Sequence, residues 1–173
     1  MSDSDGKESL NYPLLLATIV IIAIMVGAAT MKLLGGDPET KVAKVKITKE
    51  QLADFTAHID EMVAGYTVRV DEKGWPVVHP PAGSDVYILA RAYNFGRFTL
   101  ELEKGKSYQL KLTSNEIRHG IAVRELKLKE TINLGEIRSV AFRPEKAGTF
   151  DMVCSEFCGY GHESMVGRLI VTE

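Results

Sequence analysis

From Thr67 to the C-terminus the apolar residues of this chain recur at every second position, and that period constrains the fold more than any other feature. Val86, Ile88, Ala90 and Ala92 alternate with Tyr87, Leu89, Arg91 and Tyr93. Phe98, Leu100 and Leu102 alternate with Thr99, Glu101 and Glu103, and Tyr108, Leu110 and Leu112 with Gln109 and Lys111. Phe150, Met152 and Cys154 continue the habit. Side chains two apart on an extended strand share a face, so each run offers one face to a core. Asn94-Phe95-Gly96, Glu103-Lys104-Gly105, Asn133-Leu134-Gly135 and Pro144-Glu145-Lys146-Ala147-Gly148 separate the runs with turn chemistry. Short strands at this spacing predict a mainly β domain, an antiparallel sandwich or barrel, over residues 85–173.

The N-terminal part obeys a different rule. Ser9 to Met31 holds no charged side chain, and Leu14 to Met31 is apolar apart from Thr18, Gly27 and Thr30. At about 1.5 Å rise per residue that stretch reaches roughly 27 Å, close to the hydrocarbon thickness of a bilayer. It predicts a transmembrane helix over residues 13–34, behind a cytoplasmic tail of residues 1–12. A cleaved signal peptide is the competing reading, since Gly27-Ala28-Ala29 offers small residues for cleavage. The apolar stretch exceeds a usual signal core, and Lys7 is outweighed by Asp3, Asp5 and Glu8. Glu8 reads as a solvated terminal charge ahead of any role in proton entry. Lys32, Lys41, Lys44, Lys46 and Lys49 follow the helix, but positive-inside counting loses force before a long folded domain.

Residues 35–84 link anchor and β domain. Gly35-Gly36-Asp37-Pro38 breaks the helix, and Thr48-Lys49-Glu50-Gln51 reads as a capping box. Leu52, Phe55, Ile59, Met62 and Val63 then recur at helical spacing, which predicts a short amphipathic helix packed on the domain or on a neighbouring subunit. His58 reads as an ordinary surface histidine.

Charge excludes several function classes. The totals are 21 Lys+Arg and 23 Asp+Glu, a formal net charge of −2, which leaves no basic footprint for nucleic acid. With 45% apolar and 25% charged residues the chain is not disordered, and two cysteines cannot build a disulfide scaffold. Residues 37–173 hold 19 basic and 20 acidic side chains. That balance predicts little electrostatic steering of a partner and weak dependence on ionic strength.

The chemistry lies in Cys154-Ser155-Glu156-Phe157-Cys158-Gly159-Tyr160-Gly161-His162-Glu163-Ser164-Met165, where both cysteines, a histidine and a methionine fall within twelve residues. Thiolate, imidazole and thioether select copper, above all a copper that cycles between Cu(I) and Cu(II). Two thiolates on one short loop can bridge two copper ions. A second imidazole is then needed, and His119 in Arg118-His119-Gly120 is the candidate ahead of His79. A Cys154–Cys158 disulfide would leave His162 and Met165 without a purpose. A Cys₂His₂ zinc site with His119 is chemically open too, although zinc has no use for Met165.

The pattern Cys-x-Glu-x-Cys-x-x-x-His-x-x-Met with an upstream His resembles the binuclear copper A (CuA) domain of cytochrome c oxidase subunit II. The single preceding helix resembles the B-type haem–copper oxidases. The resemblance implies a cupredoxin-like Greek-key β-barrel whose metal ligands are His119, Cys154, Glu156 (through its carbonyl), Cys158, His162 and Met165. It places Tyr93 and Phe95 at an electron-entry surface, and it leaves room for Mg²⁺ on the Glu156 carboxylate at the subunit I interface. The implied partners are haem-containing subunit I, a c-type cytochrome donor, small accessory subunits and the lipid bilayer. The implied location is a bacterial or archaeal plasma membrane, with the domain on the periplasmic or outer face. The function implied is electron entry to a terminal oxidase that reduces oxygen and pumps protons. The small subunit of a nitric oxide reductase and a membrane-tethered copper electron carrier are the alternatives.

Overall fold

The computed structural model describes residues 16–17, 19–22 and 47–173. Residues 16–17 and 19–22 are helical, with exposed Leu16, Ile19, Val20, Ile21 and Ile22. The rest of the expected membrane helix, the N-terminal tail with Glu8, and the linker before residue 47 lie outside the described residues. Among the described residues no helix is long and apolar enough to cross a membrane.

Helix α1 spans Lys49–Tyr66. Its capping box is formed: Gln51 N donates to Thr48 Oγ1 at 3.2 Å and Thr48 N donates to Gln51 Oε1 at 2.8 Å. The apolar stripe faces the β domain, with Phe55 and Met62 buried and Ile59 and Val63 packed on the core. Phe55 meets Tyr87 edge to face at 5.2 Å, and His58 stacks on the same ring at 4.9 Å. Of the two surfaces the stripe could cover, it covers the chain's own.

Ten strands follow: β1 Thr67–Val70, β2 Pro76–Val78, β3 Asp85–Ala90, β4 Thr99–Glu103, β5 Tyr108–Ser114, β6 His119–Val123, β7 Leu128–Ile132, β8 Arg138–Phe142, β9 Gly148–Val153 and β10 Val166–Thr172. They form a seven-stranded sheet in the order β1-β2-β4-β10-β9-β6-β7 and a three-stranded sheet β3-β5-β8. The sheets enclose a core that includes Val86, Ile88, Leu100, Leu102, Tyr108, Leu110, Leu112, Ile121 and Leu169, so the period-two runs do bury one face.

Two features differ from the sequence expectation. First, β2·β4, β4·β10 and β3·β5 are parallel pairs, where an antiparallel arrangement was expected. The chain passes from one sheet to the other between β3 and β4 and back between β4 and β5. β2 and β4, and likewise β3 and β5, are therefore two steps apart in sequence and run the same way, while β10 returns from β9 to lie parallel beside β4. Second, residues 67–78, which the sequence reading leaves within the link of residues 35–84, add the β1–β2 hairpin to the large sheet. Its turn is built on Asp71, whose carboxylate accepts from Lys73 N and Trp75 N, each at 2.9 Å, while Gly74 supplies the φ of +77°. Thr99 Oγ1 donates to the same carboxylate at 2.8 Å and ties the hairpin to β4.

Candidate metal centre

The donors converge because of where β9 and β10 stop pairing. Val153 opposite Val166 is their last pair. Cys154 and Met165 sit one residue beyond it, joined by Cys154 N donating to Met165 O at 3.1 Å. Everything between them is the ligand loop. It tightens in a single 3₁₀ turn at His162–Ser164, and Gly159 there takes a φ of +110°. β6 pairs with β9 at Ala122 and Val153, which brings His119 alongside. Gly120 makes this approach possible: a Cβ there would lie 2.2 Å from Ser155 Oγ and 2.9 Å from Glu156 Cγ. Any side chain at position 120 would collide with the loop.

The two sulfurs of Cys154 and Cys158 face each other at 3.6 Å, and neither is in a disulfide. Around Cys154 Sγ lie His119 Nδ1 at 3.9 Å and the Glu156 carbonyl oxygen at 3.1 Å. Around Cys158 Sγ lie His162 Nδ1 at 3.6 Å and Met165 Sδ at 3.8 Å. Each sulfur thus has one imidazole and one weak donor. The donor atoms of His119, Cys154 and Cys158 all lie within 4.8 Å of one another. Met165 and His119 are fully buried.

Burial governs the protonation of the group. It pushes the Cys158 thiol up to about 11, helped by its hydrogen bond to Cys154 and by that neighbour's charge. Burial also lowers the His119 imidazole, with His162 acting in the same direction and Glu116 against it. His119 is therefore held neutral, ready to donate a lone pair, and its buried Nε2 has no hydrogen-bond partner. A buried polar atom left unpaired is costly in a folded chain. Together, buried thiols, a neutral imidazole and a thioether pointing at one spot fit a soft transition metal and not a hard cation.

Residues 97–172 match the family described as cytochrome C oxidase subunit II, periplasmic domain. The C-terminal domain is similar to that periplasmic domain over these residues. A cytochrome c oxidase subunit 2 of Thermus thermophilus is 30% identical over 88 residues, 51% of this chain and 65% of that protein. An alternative cytochrome c oxidase subunit 2 of Bradyrhizobium diazoefficiens is 35% identical over 72 residues, 42% of this chain and 26% of that protein. The chain thus spans less than two thirds of the length of these relatives. Among solved structures, a chain of a heme-copper terminal oxidase dimer superposes with a TM-score of 0.54 at 18% identity, covering 94% of this chain and all of that one. The likeness shows that the fold is shared: a mainly β, cupredoxin-like domain.

In the β domain, all six residues singled out as donors come together. The two aromatic residues expected at its electron-entry surface part ways. Phe95 is 2% exposed and packs in the core beside Gly167 and Met152, so it presents no ring to a partner. The turn signal in Asn94-Phe95-Gly96 hid this, because the aromatic side chain folds inward beneath its own turn. Tyr93 is 37% exposed and lies flat on the ligand loop: a Cβ on Gly161 would meet its Cδ2 at 2.2 Å and one on Gly159 its hydroxyl at 2.9 Å. Sequence reasoning passed over Phe157 and Tyr160, which project from the loop itself at 83% and 107% exposure. Their signal was present, since each alternates with a ligand or glycine and so cannot share the ligands' direction. His79, the competitor of His119, faces Glu101 Oε1 at 3.2 Å instead.

Proposed function

We propose that this chain is the electron-entry subunit of a membrane-bound haem–copper oxidase and that its loop holds a binuclear copper centre. One observation carries the reading: two unbonded sulfurs 3.6 Å apart, each with its own imidazole and its own weak donor. A single tetrahedral zinc would use four donors and leave Met165 Sδ and the Glu156 carbonyl idle. Two metals bridged by both thiolates use all six. Cys154, Cys158, His119, His162, the Glu156 carbonyl and Met165 Sδ would together hold the two coppers. When bound, the metal pair accepts and releases one electron at a time with its charge spread over both ions.

The protein's own contribution is rigidity and exclusion of water. Cys154, Cys158, Met165 and His119 are buried, which keeps bulk water from these donors. The imidazole of His162 is part-exposed and the loop carries Tyr160 and Phe157 outward, which supports electron exchange with partner proteins across this face. The electron would come from a c-type cytochrome and pass to haem in subunit I, where oxygen is reduced and protons are pumped. The domain stands outside the cytoplasm, anchored by the apolar segment of residues 13–34.

Magnesium is the weaker part of the reading. The Glu156 carboxylate lies 3.6 Å from Arg118 and 3.5 Å from Thr131 Oγ1. A Mg²⁺ at a subunit I interface would have to displace Arg118 from it. Purification of the full chain with its membrane partners tests the whole reading. The expected result is a haem-containing large subunit, two copper ions per chain and a seven-line hyperfine pattern in electron paramagnetic resonance. One metal per chain, or a colourless one, would overturn it. A large subunit that reduces nitric oxide, or none at all, would move the chain to the alternatives.

A further inference from the structure

Two glycines of the ligand loop serve different ends. Gly159 is needed for its φ of +110°, but Gly161, at φ −91° and ψ 11°, has the backbone of an ordinary type I turn that most residues adopt. What excludes a side chain at Gly161 is the ring of Tyr93: a Cβ there would lie 2.2 Å from its Cδ2, 2.3 Å from its Cγ and 2.6 Å from its Cε2. The ring is thus seated on the loop between Cys158 and His162, with its hydroxyl end over Gly159. Tyr93 itself rides at the tip of a turn. Arg91 and Asn94 close that turn by exchanging backbone hydrogen bonds at 3.0 and 2.8 Å, Gly96 N donates to Asn94 Oδ1 at 3.1 Å, and Phe95 is buried beneath. None of these bonds reaches Ala92 or Tyr93. The tie to the tip comes from another element: Ala92 N donates to Glu116 Oε2 at 3.1 Å.

Glu116 stands on a loop that is itself held. Residues 115–118 join β5 to β6 and end at His119. Ser114, fully buried where the loop begins, donates its hydroxyl to Ile117 O at 2.5 Å, and its carbonyl accepts from Gly135 N at 3.0 Å. A hydroxyl that turns back on neighbouring backbone fixes a short loop without regular structure. The carboxylate on that loop makes a charge-assisted bond to the Ala92 amide, stronger than a neutral pair of the same length. Resting on the copper reading above, we propose that Glu116 is a positioning residue: it holds the Tyr93 ring in its glycine seat and so keeps the ligand loop in its metal-binding shape. One short loop then sets the buried imidazole of His119 and, through Glu116, the ring that covers the ligand loop. Glu116 also acts on His119 by its charge, opposing the effect of burial there. Bond and charge are separable, because glutamine keeps the accepting oxygen and loses the charge.

The test compares Tyr93→Ala, Glu116→Ala, Glu116→Gln and the double variant Tyr93→Ala with Glu116→Ala. The first readout is the amide nuclear magnetic resonance signals of Gly159 and Gly161 in the metal-free full-length chain, which an aromatic ring seated on them displaces. Tyr93→Ala should move both signals. Glu116→Ala should move them the same way by a smaller amount, and Glu116→Gln should leave them in place. In the Tyr93→Ala background Glu116→Ala should add nothing, since residues that act through one contact are not additive. The second readout is loss of copper from the loaded full-length chain to excess bathocuproine disulfonate under ascorbate. Glu116→Ala should speed that loss about fivefold, the factor that one hydrogen bond of ordinary strength supplies. Glu116→Gln should lose copper at the rate of the unaltered chain. Unmoved glycine signals or unchanged copper loss in Glu116→Ala would overturn the proposal. So would a Gln variant that behaves as the Ala variant, or a Glu116→Ala effect that persists without Tyr93. The first readout needs no metal, so a chain that failed to take up two coppers would sink the copper reading and still decide how the ring is held.

Discussion

Two regions of the β domain bury polar groups, and they do so to opposite ends. On β4, Glu101 is 6% exposed, yet its carboxylate is met by the guanidinium of Arg69 on β1 and lies 3.2 Å from His79 Nδ1. Arg69 is the main reason its carboxyl sits below the usual range. That cluster pairs charge with charge and holds the hairpin β1–β2 to the sheet, although His79 Nδ1 makes no hydrogen bond there. The ligand loop is open. Its sulfurs have each other, the imidazoles, a carbonyl and the Met165 thioether for company, and His119 Nε2 has no partner. Buried polar atoms that satisfy one another hold a fold together, while those that converge unsatisfied mark a place for something else.

The sharpest way to break the comparison is to remove a sulfur. Cys158→Ser should abolish the binuclear copper spectrum and electron entry altogether, with the β-sheet circular dichroism retained; an intact seven-line signal would sink the bridging role. Phe95→Ala should cost about 3–5 kcal/mol of stability, as expected for a truncated core aromatic, and chemical denaturation would show it. Tyr93→Ala, by contrast, should slow reduction by the donor and leave stability almost untouched. At the Glu101 cluster, Arg69→Ala strands a buried carboxylate. Because half of Arg69 is in solvent, the cost should be about 1–2 kcal/mol, with no change in the copper spectrum.

The smallest effect is in pH. The raised thiol of Cys158 favours the folded metal-free chain while it stays protonated, and that contribution is lost as pH climbs from 9.0 through about 11. His119, whose imidazole is lowered, favours the fold above 6.5 and loses that contribution as pH falls below it. Thermal melts of the metal-free chain should therefore be broadest in stability between these limits. Copper uptake should release protons at neutral pH, since the buried thiol must give one up. Melting temperatures that rise steadily above pH 9 would contradict the burial of Cys158.

Much of this was readable one residue at a time. The β runs, the capping box at Thr48 and the six donors are local patterns, and local patterns survive without coordinates. The reading failed where two distant segments had to be known together. Parallel strand pairs depend on which sheet each crossing enters. The inward turn of Phe95 depends on Gly167 and Met152 waiting beneath it. The hairpin at residues 67–78 rests on a four-residue β1 that is exposed throughout, so its alternation alone does not say which sheet it joins.

The amino-acid order by itself determined which atoms could bind a metal, because donor chemistry belongs to side chains and their spacing belongs to the loop. Tertiary structure alone decided that His119 reaches that loop and that Tyr93 covers it while Phe95 does not. Distance through space is set by the packing of sheets, and a sum over the chain carries no record of it.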